Sequence, residues 1–134
     1  MASGLFGCYF ICVDRRSLGR IGEAAAGDFL ERRGYRIIAR NFRCPFGELD
    51  LIARHGEAIV FVEVKARTTT DFGEPFDAIT PLKQRRLIRL ATYYLKGRNW
   101  LGRPARFDAV SVTVCADGSV ARIEVLADAF EAGG

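Results

Sequence analysis

Residues 47–67, GELDLIARHGEAIVFVEVKAR, decide the fold and carry the most informative charged residues of the chain. Two apolar runs flank His55-Gly56, which predicts a β-hairpin with strands near 47–54 and 57–67. Charge is costly inside such half-buried strands unless it is neutralised. Nevertheless, three carboxylates and one ammonium interrupt them: Glu48, Asp50, Glu63 and Lys65.

Alternation along the two strands predicts that the charged residues of the hairpin share one face. With His55-Gly56 as a two-residue turn, Glu48 lies opposite Glu63. Asp50 then lies opposite Phe61 and diagonal to Glu63, within reach of one ion. Such crowded carboxylates repel, and a hard divalent cation such as Mg²⁺ neutralises them while keeping positions for water and phosphate. The pattern therefore predicts metal-assisted phosphoryl transfer, and the alternative is an ordinary exposed Glu–Lys pair.

The rest of the chain predicts one α/β domain with element order α-β-β-β-α-β-β, a mixed sheet flanked by helices. Helical spacing covers 17–33, and a helix begins at Thr80-Pro81 and continues to about Gly97. The remaining strands are predicted at 35–43, 106–115 and 120–130. The domain boundaries that follow are an N-terminal extension over 1–14, the folded domain over 15–130 and a tail over 131–134.

Composition and charge narrow the class of protein. The chain has 134 residues and a net charge of +4, with eight Lys and Arg and no acid between residues 83 and 106. A local positive field of this kind suits a polyanion such as DNA. The four cysteines form no CxxC pair, which indicates reduced thiols in a cytoplasmic protein. The apolar run over 5–13 is too short to cross a bilayer, so no membrane association is expected.

The second helix carries the candidate nucleic-acid-binding residues, because its basic side chains group opposite its apolar face. A solvated helix face is the alternative, and it is favoured for Lys96. Arg67 could meet phosphate at the end of its strand, and the loop over 68–78 could cover substrate. The candidate set is Arg67, Lys83, Gln84, Arg85, Arg86 and Arg89.

Three further residues are expected to be structural. Asp108 should pair with Arg106 or a loop rather than bind metal. His55, in the predicted turn, should be solvated. Trp100 should serve hydrophobic packing rather than base stacking.

Asp50, twelve intervening residues and then Glu63-Val64-Lys65 resemble the PD-(D/E)xK motif of the restriction-endonuclease-like superfamily. Over roughly residues 17–127 the chain also resembles the YraN family of bacterial proteins. The motifs that carry this resemblance are GRIGEAAAGDFLERRGYRIIARNFR, GELDLIA, VFVEVKAR, FGEPFDAITPLKQRRLIRLATYYL and RFDAVSV. Superfamily members are mostly Mg²⁺-dependent nucleases, and those most similar to this chain are archaeal Holliday-junction resolvases.

The resemblance also implies roles for individual residues. Lys65 would be the catalytic lysine, either as general base or as a positive group beside the phosphate. Glu48 has no fixed role and could assist a second ion or lie at the rim. Leu49 stands where the motif has proline. The implied metal ligands are Asp50, Glu63, the Val64 carbonyl and Glu23, the last directly or through water.

The expected protein is therefore a DNA endonuclease with a restriction-endonuclease-like core that uses Mg²⁺ or Mn²⁺. The resolvase resemblance implies branched or recombination-intermediate DNA as substrate, a role in DNA repair, and a homodimer that cuts two strands. Two alternatives stay open. One is a non-catalytic nucleic-acid-binding module with the same fold. The other is a scaffold protein that acts through the apolar N-terminal run.

Overall fold

The computed structural model describes residues 14–71 and 79–129. Within these ranges the elements follow the predicted order, and the α/β fold is confirmed, consistent with a restriction-endonuclease-like core. Three predicted segments lie outside the described residues: the extension up to residue 13, the part of the possible substrate-covering loop over 72–78, and the tail over 131–134. The elements are α1 (Arg15–Arg32), β1 (Arg36–Cys44), β2 (Gly47–His55), β3 (Ala58–Thr68), α2 (Pro81–Gly97), β4 (Ala105–Val114) and β5 (Val120–Leu126).

The five strands form one mixed sheet in the order β1-β2-β3-β4-β5. β3 and β4 are parallel, and the other neighbours are antiparallel. A parallel pair needs a crossover, and α2 provides it, whereas the antiparallel pairs need only short turns. α1 packs Ala26 and Leu30 against one face of the sheet, and α2 packs Leu87 and Leu90 against the other. The sheet is therefore the middle layer of three.

Local signals account for where the helices begin. The Asp14 carboxylate accepts a hydrogen bond of 2.8 Å from the Ser17 N–H and caps α1. The Thr80 hydroxyl accepts one of 3.2 Å from the Lys83 N–H, and Pro81 takes the first helical position of α2. Both contacts satisfy N–H groups that a helix start leaves without partners. The predicted start at Thr80-Pro81 is thus confirmed.

The predicted turn of the β2–β3 hairpin is wrong by one position. His55 pairs with Ala58, so the loop is Gly56-Glu57 and Gly56 adopts a φ of +60°. The pairing register consequently moves by two residues from the predicted one. Because side chains alternate with a period of two, this even shift leaves the paired residues 51–55 and 58–62 on their predicted faces.

The tertiary environment of His55 explains this register. Its ring stacks on Tyr35 at 4.1 Å between centroids, and its Nδ1 lies 2.9 Å from Arg106 Nη2. These contacts hold His55 in the strand rather than in the turn. The expectation that His55 is solvated is therefore wrong, since the side chain is half-buried against two partners.

Candidate functional site

Asp50 lies where β2 and β3 separate. The paired residues run from His55–Ala58 to Leu51–Val62 and stop there. One step further, the Val64 N–H donates a 2.7 Å hydrogen bond to Asp50 Oδ2. In a strand the N–H and C=O of one residue project toward the same neighbour, so the Val64 carbonyl also faces this gap. A carboxylate and a main-chain carbonyl thus converge at the end of the hairpin ladder.

A local inversion of β1 and β2 accompanies this position. Arg40 lies against Gly27 of α1, whereas Phe42, two residues later, packs edge-to-face on Tyr94 of α2 at 5.2 Å. Asn41 between them has a φ of +50°, which turns the strand over. Since Arg40 pairs with Leu51 and Phe42 with Leu49, Asn41 lies across from Asp50. This irregularity frees Asp50 from regular pairing with β1.

Glu63 meets Asp50 on the α2 side of the sheet. Continuing the β2–β3 register places the two residues directly opposite, closer than the predicted diagonal. Both line an open cleft of about 490 Å³, called here the acidic cleft. Glu63 Oε2 also forms a 3.0 Å ion pair with Lys83 Nζ of α2. The acidic cleft is lined in part by Arg43, Glu48, Asp50, Glu63, Lys83 and Arg86.

Glu48 does not lie opposite Glu63, and that prediction is wrong because the hairpin register moved by two residues. It pairs instead with Arg43 of β1, and their side chains form a 3.7 Å ion pair that is largely exposed. Such exposed pairs contribute little to stability. Of the two roles left open for Glu48, its position at the rim of the acidic cleft fits the second.

Glu23 reaches Asp50 from α1, on the other side of the sheet. The preceding residue, Gly22, is buried, and a Cβ added there would lie 2.7 Å from the Ala66 Cβ of β3. No side chain fits in that space, so glycine allows α1 to approach β3 closely. Glu23 consequently lies close enough to Asp50 for its carboxyl to raise the pKa of Asp50. The helix and the hairpin are therefore both needed to assemble the acids.

The surroundings of Asp50 favour its protonated form. Together these surroundings raise the pKa of the Asp50 carboxyl from 3.8 to about 7, and burial is the largest cause. The Val64 N–H lowers this pKa in part, whereas the neighbouring carboxylates of Glu63 and Glu23 contribute to raising it. Near neutral pH the cluster is therefore poised to exchange a proton for a cation.

The donor set fits a hard divalent ion, although it is not preorganised for one. Among residues 14–71 and 79–129, no group of three or more His, Cys, Asp or Glu side chains is arranged to hold a metal. Lys83 pairs with Glu63, and the raised pKa of Asp50 favours its protonated form. All the candidate donors are oxygen atoms, the type that Mg²⁺ and Mn²⁺ prefer. Binding of an ion would therefore displace the Lys83 ammonium and the Asp50 proton.

The other predicted site residues flank the acids. Lys65 follows Glu63 by two positions on β3, is exposed, and pairs in register with Ser111 of β4. Arg67 Nη2 donates to the Asp71 carbonyl at 3.2 Å, and Gln84 Nε2 donates to the Ile79 carbonyl at 2.8 Å. Arg67 and Gln84 thus hold the two chain ends that enter and leave 72–78.

The basic residues of α2 line a second and larger cleft of about 910 Å³, called here the basic groove. It adjoins the acidic cleft, because Lys83 and Arg86 line both. The guanidinium of Arg89 lies 5.2 Å from the ring centroid of Phe46. Sequence reasoning missed Phe46, since one aromatic residue in a turn has no periodic signal. The lining includes Phe46, Leu82, Lys83, Arg85, Arg86 and Arg89.

A second polar cluster is structural. Asp108, 2% exposed, accepts hydrogen bonds from Tyr35 Oη at 2.8 Å and from Arg106 Nε at 3.0 Å. The Asp128 N–H donates to it at 2.9 Å. The predicted pairing of Asp108 with Arg106 is confirmed. Trp100 packs against Tyr94, with ring centroids 6.1 Å apart, so the predicted packing role is also confirmed.

Fold and site together define a class: an α/β protein that gathers carboxylates from a hairpin and a helix beside a basic groove. Neither described helix is long and apolar enough to cross a membrane. The chain belongs to the family described as Uncharacterised protein family UPF0102, whose model matches residues 22–112. This confirms the YraN-like resemblance drawn from the motifs.

Relatives in this family match more than four fifths of this chain. A UPF0102 protein of Moorella thermoacetica is 49% identical over 116 residues, covering 87% of this chain and 97% of its own. One from Syntrophus aciditrophicus is 46% identical, covering 84% and 87%. Among solved structures, Pyrococcus furiosus SfsA in complex with Ca²⁺ is similar with a TM-score of 0.40 and 20% identity. That match covers 81% of this chain and 62% of SfsA.

Proposed function

We propose that this protein is a Mg²⁺- or Mn²⁺-dependent DNA endonuclease of the PD-(D/E)xK superfamily. One arrangement carries the proposal: the half-buried Asp50 carboxyl lies at the end of the β2–β3 ladder, opposite Glu63 in the continued register and near Glu23 of α1. Carboxylates held together in a half-buried gap repel one another, and a divalent cation would neutralise them more fully than Lys83 alone. The separation of the β2–β3 ladder beside Val64 supplies a further oxygen donor at the same place.

Each residue then has a role in phosphodiester hydrolysis. Asp50, Glu63 and Glu23 would hold the ion through carboxylate oxygens, and Val64 would offer its carbonyl. When held there, such an ion would supply a water molecule of lowered pKa and positive charge against the phosphate. Lys65 places positive charge beside the scissile phosphate. Lys83, once released from Glu63, contacts a neighbouring phosphate.

The basic groove supports DNA as the polyanion that is bound. Arg85, Arg86 and Arg89 present guanidinium groups along one side of α2, and guanidinium groups bind phosphate in a bidentate manner. The described part of the chain contains no helix-turn-helix, so selection by DNA shape is favoured over reading of sequence. Branched or recombination-intermediate DNA is the proposed substrate, cut by a homodimer in the cytoplasm during repair.

A cleavage assay tests this proposal. Junction, flap, single-stranded and duplex DNA are incubated with the protein in Mg²⁺, in Mn²⁺ and in EDTA. We expect cleavage of branched DNA only with metal, and at least a 100-fold slower rate for Asp50→Asn. That variant keeps an oxygen that accepts from Val64, so it is a matched control for folding. Equal cleavage by Asp50→Asn, or no cleavage of any substrate with either ion, would overturn the proposal.

The Glu63–Lys83 pair favours a second candidate, a non-catalytic nucleic-acid-binding module. A 3.0 Å ion pair already satisfies Glu63 without a metal. Thermal unfolding in increasing Mg²⁺ or Mn²⁺ separates the two candidates, because an ion that binds only the folded state raises its stability by mass action. A nuclease site predicts a rising Tm that Asp50→Asn abolishes. The binding module predicts a Tm that does not respond to either ion.

A further inference from the structure

Two exposed aromatic rings contact each other beside the basic groove, and one of them, Phe46, lines it. Phe46, in the turn between β1 and β2, is 37% exposed, and Tyr93 of α2 is 47% exposed. Their rings meet edge-to-face with centroids 5.9 Å apart, and Arg89 lies against Phe46. Large apolar rings normally avoid water, so a pair left at the surface beside arginine indicates a partner with both flat and anionic parts.

A path leads from these rings to the acidic cleft. Arg86 lines both clefts, and so does Lys83, which is paired with Glu63. A chain of phosphates that passes Lys83 and Arg86 on its way to Asp50 therefore has its neighbouring nucleotide beside Phe46. The basic groove, at about 910 Å³, is roomy enough to hold such a nucleotide.

The chemistry of the rings selects the kind of nucleic acid. Bases in a duplex are stacked on each other, so their flat faces are hidden from a protein. Unpaired bases offer those faces, and proteins stack them on aromatic rings or on arginine planes inside positively charged grooves. Phe46 provides an aromatic ring, and Arg89 provides an arginine plane. A groove that bound only the phosphates of a duplex would need cations but no aromatic ring.

We propose that the basic groove holds a single-stranded segment of DNA, with one unpaired base stacked on Phe46 and its phosphates on Lys83 and Arg86. The proposal rests on the proposed nuclease function for the identity of the polyanion as DNA. It adds that the substrate carries unpaired nucleotides next to the bond that is cut.

Binding measured without metal keeps this proposal separate from cleavage. Fluorescence anisotropy in EDTA gives the Kd of the full chain for oligodeoxythymidylate and for a duplex of equal length. Phe46→Tyr keeps an aromatic face. Phe46→Leu keeps the apolar bulk but loses the aromatic face. We expect Phe46→Leu to raise the single-strand Kd by about fivefold or more, the scale of one lost base stack, with Phe46→Tyr within about twofold of the parent. The duplex Kd should change in neither variant.

A second readout reports the stack directly. An oligonucleotide with 2-aminopurine changes fluorescence when that base stacks, and we expect the change with the parent and Phe46→Tyr but not with Phe46→Leu. Circular dichroism confirms that all three chains are folded. Equal single-strand affinities for Phe46→Tyr and Phe46→Leu, or tighter binding of duplex than of single strand, would overturn the proposal. Failure of cleavage with this binding intact would overturn only the nuclease function.

Discussion

Replacing Asp50 by asparagine should stabilise the metal-free fold, and the gain should grow with pH. In the folded chain the Asp50 pKa is raised to about 7, against 3.8 for an ordinary aspartate. The folded state therefore holds this proton more tightly than the unfolded state, so raising the pH from 3.8 to 7 costs stability. Asparagine removes the charge while its side-chain oxygen still accepts from Val64.

The size of the effect follows from proton linkage. The two pKa values correspond to an unfavourable contribution of about 2 kcal/mol at pH 5 and about 4 kcal/mol at pH 8. Because Glu23 and Glu63 share part of this interaction, we expect the advantage of Asp50→Asn over the parent to increase by about 2–3 kcal/mol across that range. In urea unfolding, the midpoint of Asp50→Asn should therefore exceed that of the parent by a margin that grows by about 1–2 M from pH 5 to pH 8.

Urea unfolding in EDTA at several pH values measures this difference, with the fluorescence of Trp100 as the probe. Asp117→Asn is the matched control, because hydrogen bonds from Ser119 lower the pKa of that exposed carboxyl. A carboxyl with a lowered pKa stabilises the fold fully once the pH is well above 3.8. The stability difference between Asp117→Asn and the parent should therefore not change between pH 5 and pH 8. A difference for Asp50→Asn that is independent of pH, or a loss of stability at pH 8, would refute the assignment of Asp50 as a desolvated acid.

Three further substitutions test other parts of the structure. Lys65→Ala should slow DNA cleavage at least about 100-fold while metal and DNA binding stay measurable, and intact turnover would contradict a catalytic lysine. Gly22→Ala should cost about 1–3 kcal/mol in urea unfolding, because its Cβ would lie 2.7 Å from that of Ala66. Ala66→Gly in the same chain should recover part of this loss, and equal stability of the single variant would argue against the close approach. Tyr35→Phe should cost about 1–3 kcal/mol, because buried Asp108 loses a donor; a chain as stable as the parent would show that this bond adds nothing.

Much of the fold could be predicted from the sequence, because its signals are local. Thr80 and Pro81 mark a helix start through their own hydrogen-bonding and dihedral preferences, whatever lies around them. The strand pattern also placed Asp50 and Glu63 on a common face. That prediction survived a wrong turn because the register moved by an even number of residues.

Long-range contacts decided the rest, since periodicity reports the face of one element and not its distant partners. His55 is held in its strand by Tyr35, which lies at the start of β1, and this contact sets the hairpin register. The ion pair between Lys83 and Glu63 depends on how α2 crosses the sheet. Neither contact leaves a pattern in the sequence near the residue concerned.

The sequence by itself determined the order of elements, the capped helix start at Thr80 and the alternation that puts acids on one side of a hairpin. Only the tertiary structure decided that Glu23 would join them, because that requires α1 to approach β3 across Gly22. It also decided that Phe46 would lie beside Arg89. The physical reason is the same in both cases: dihedral preferences and hydrophobic period act within a segment, whereas the meeting of two segments is set by how their surfaces pack.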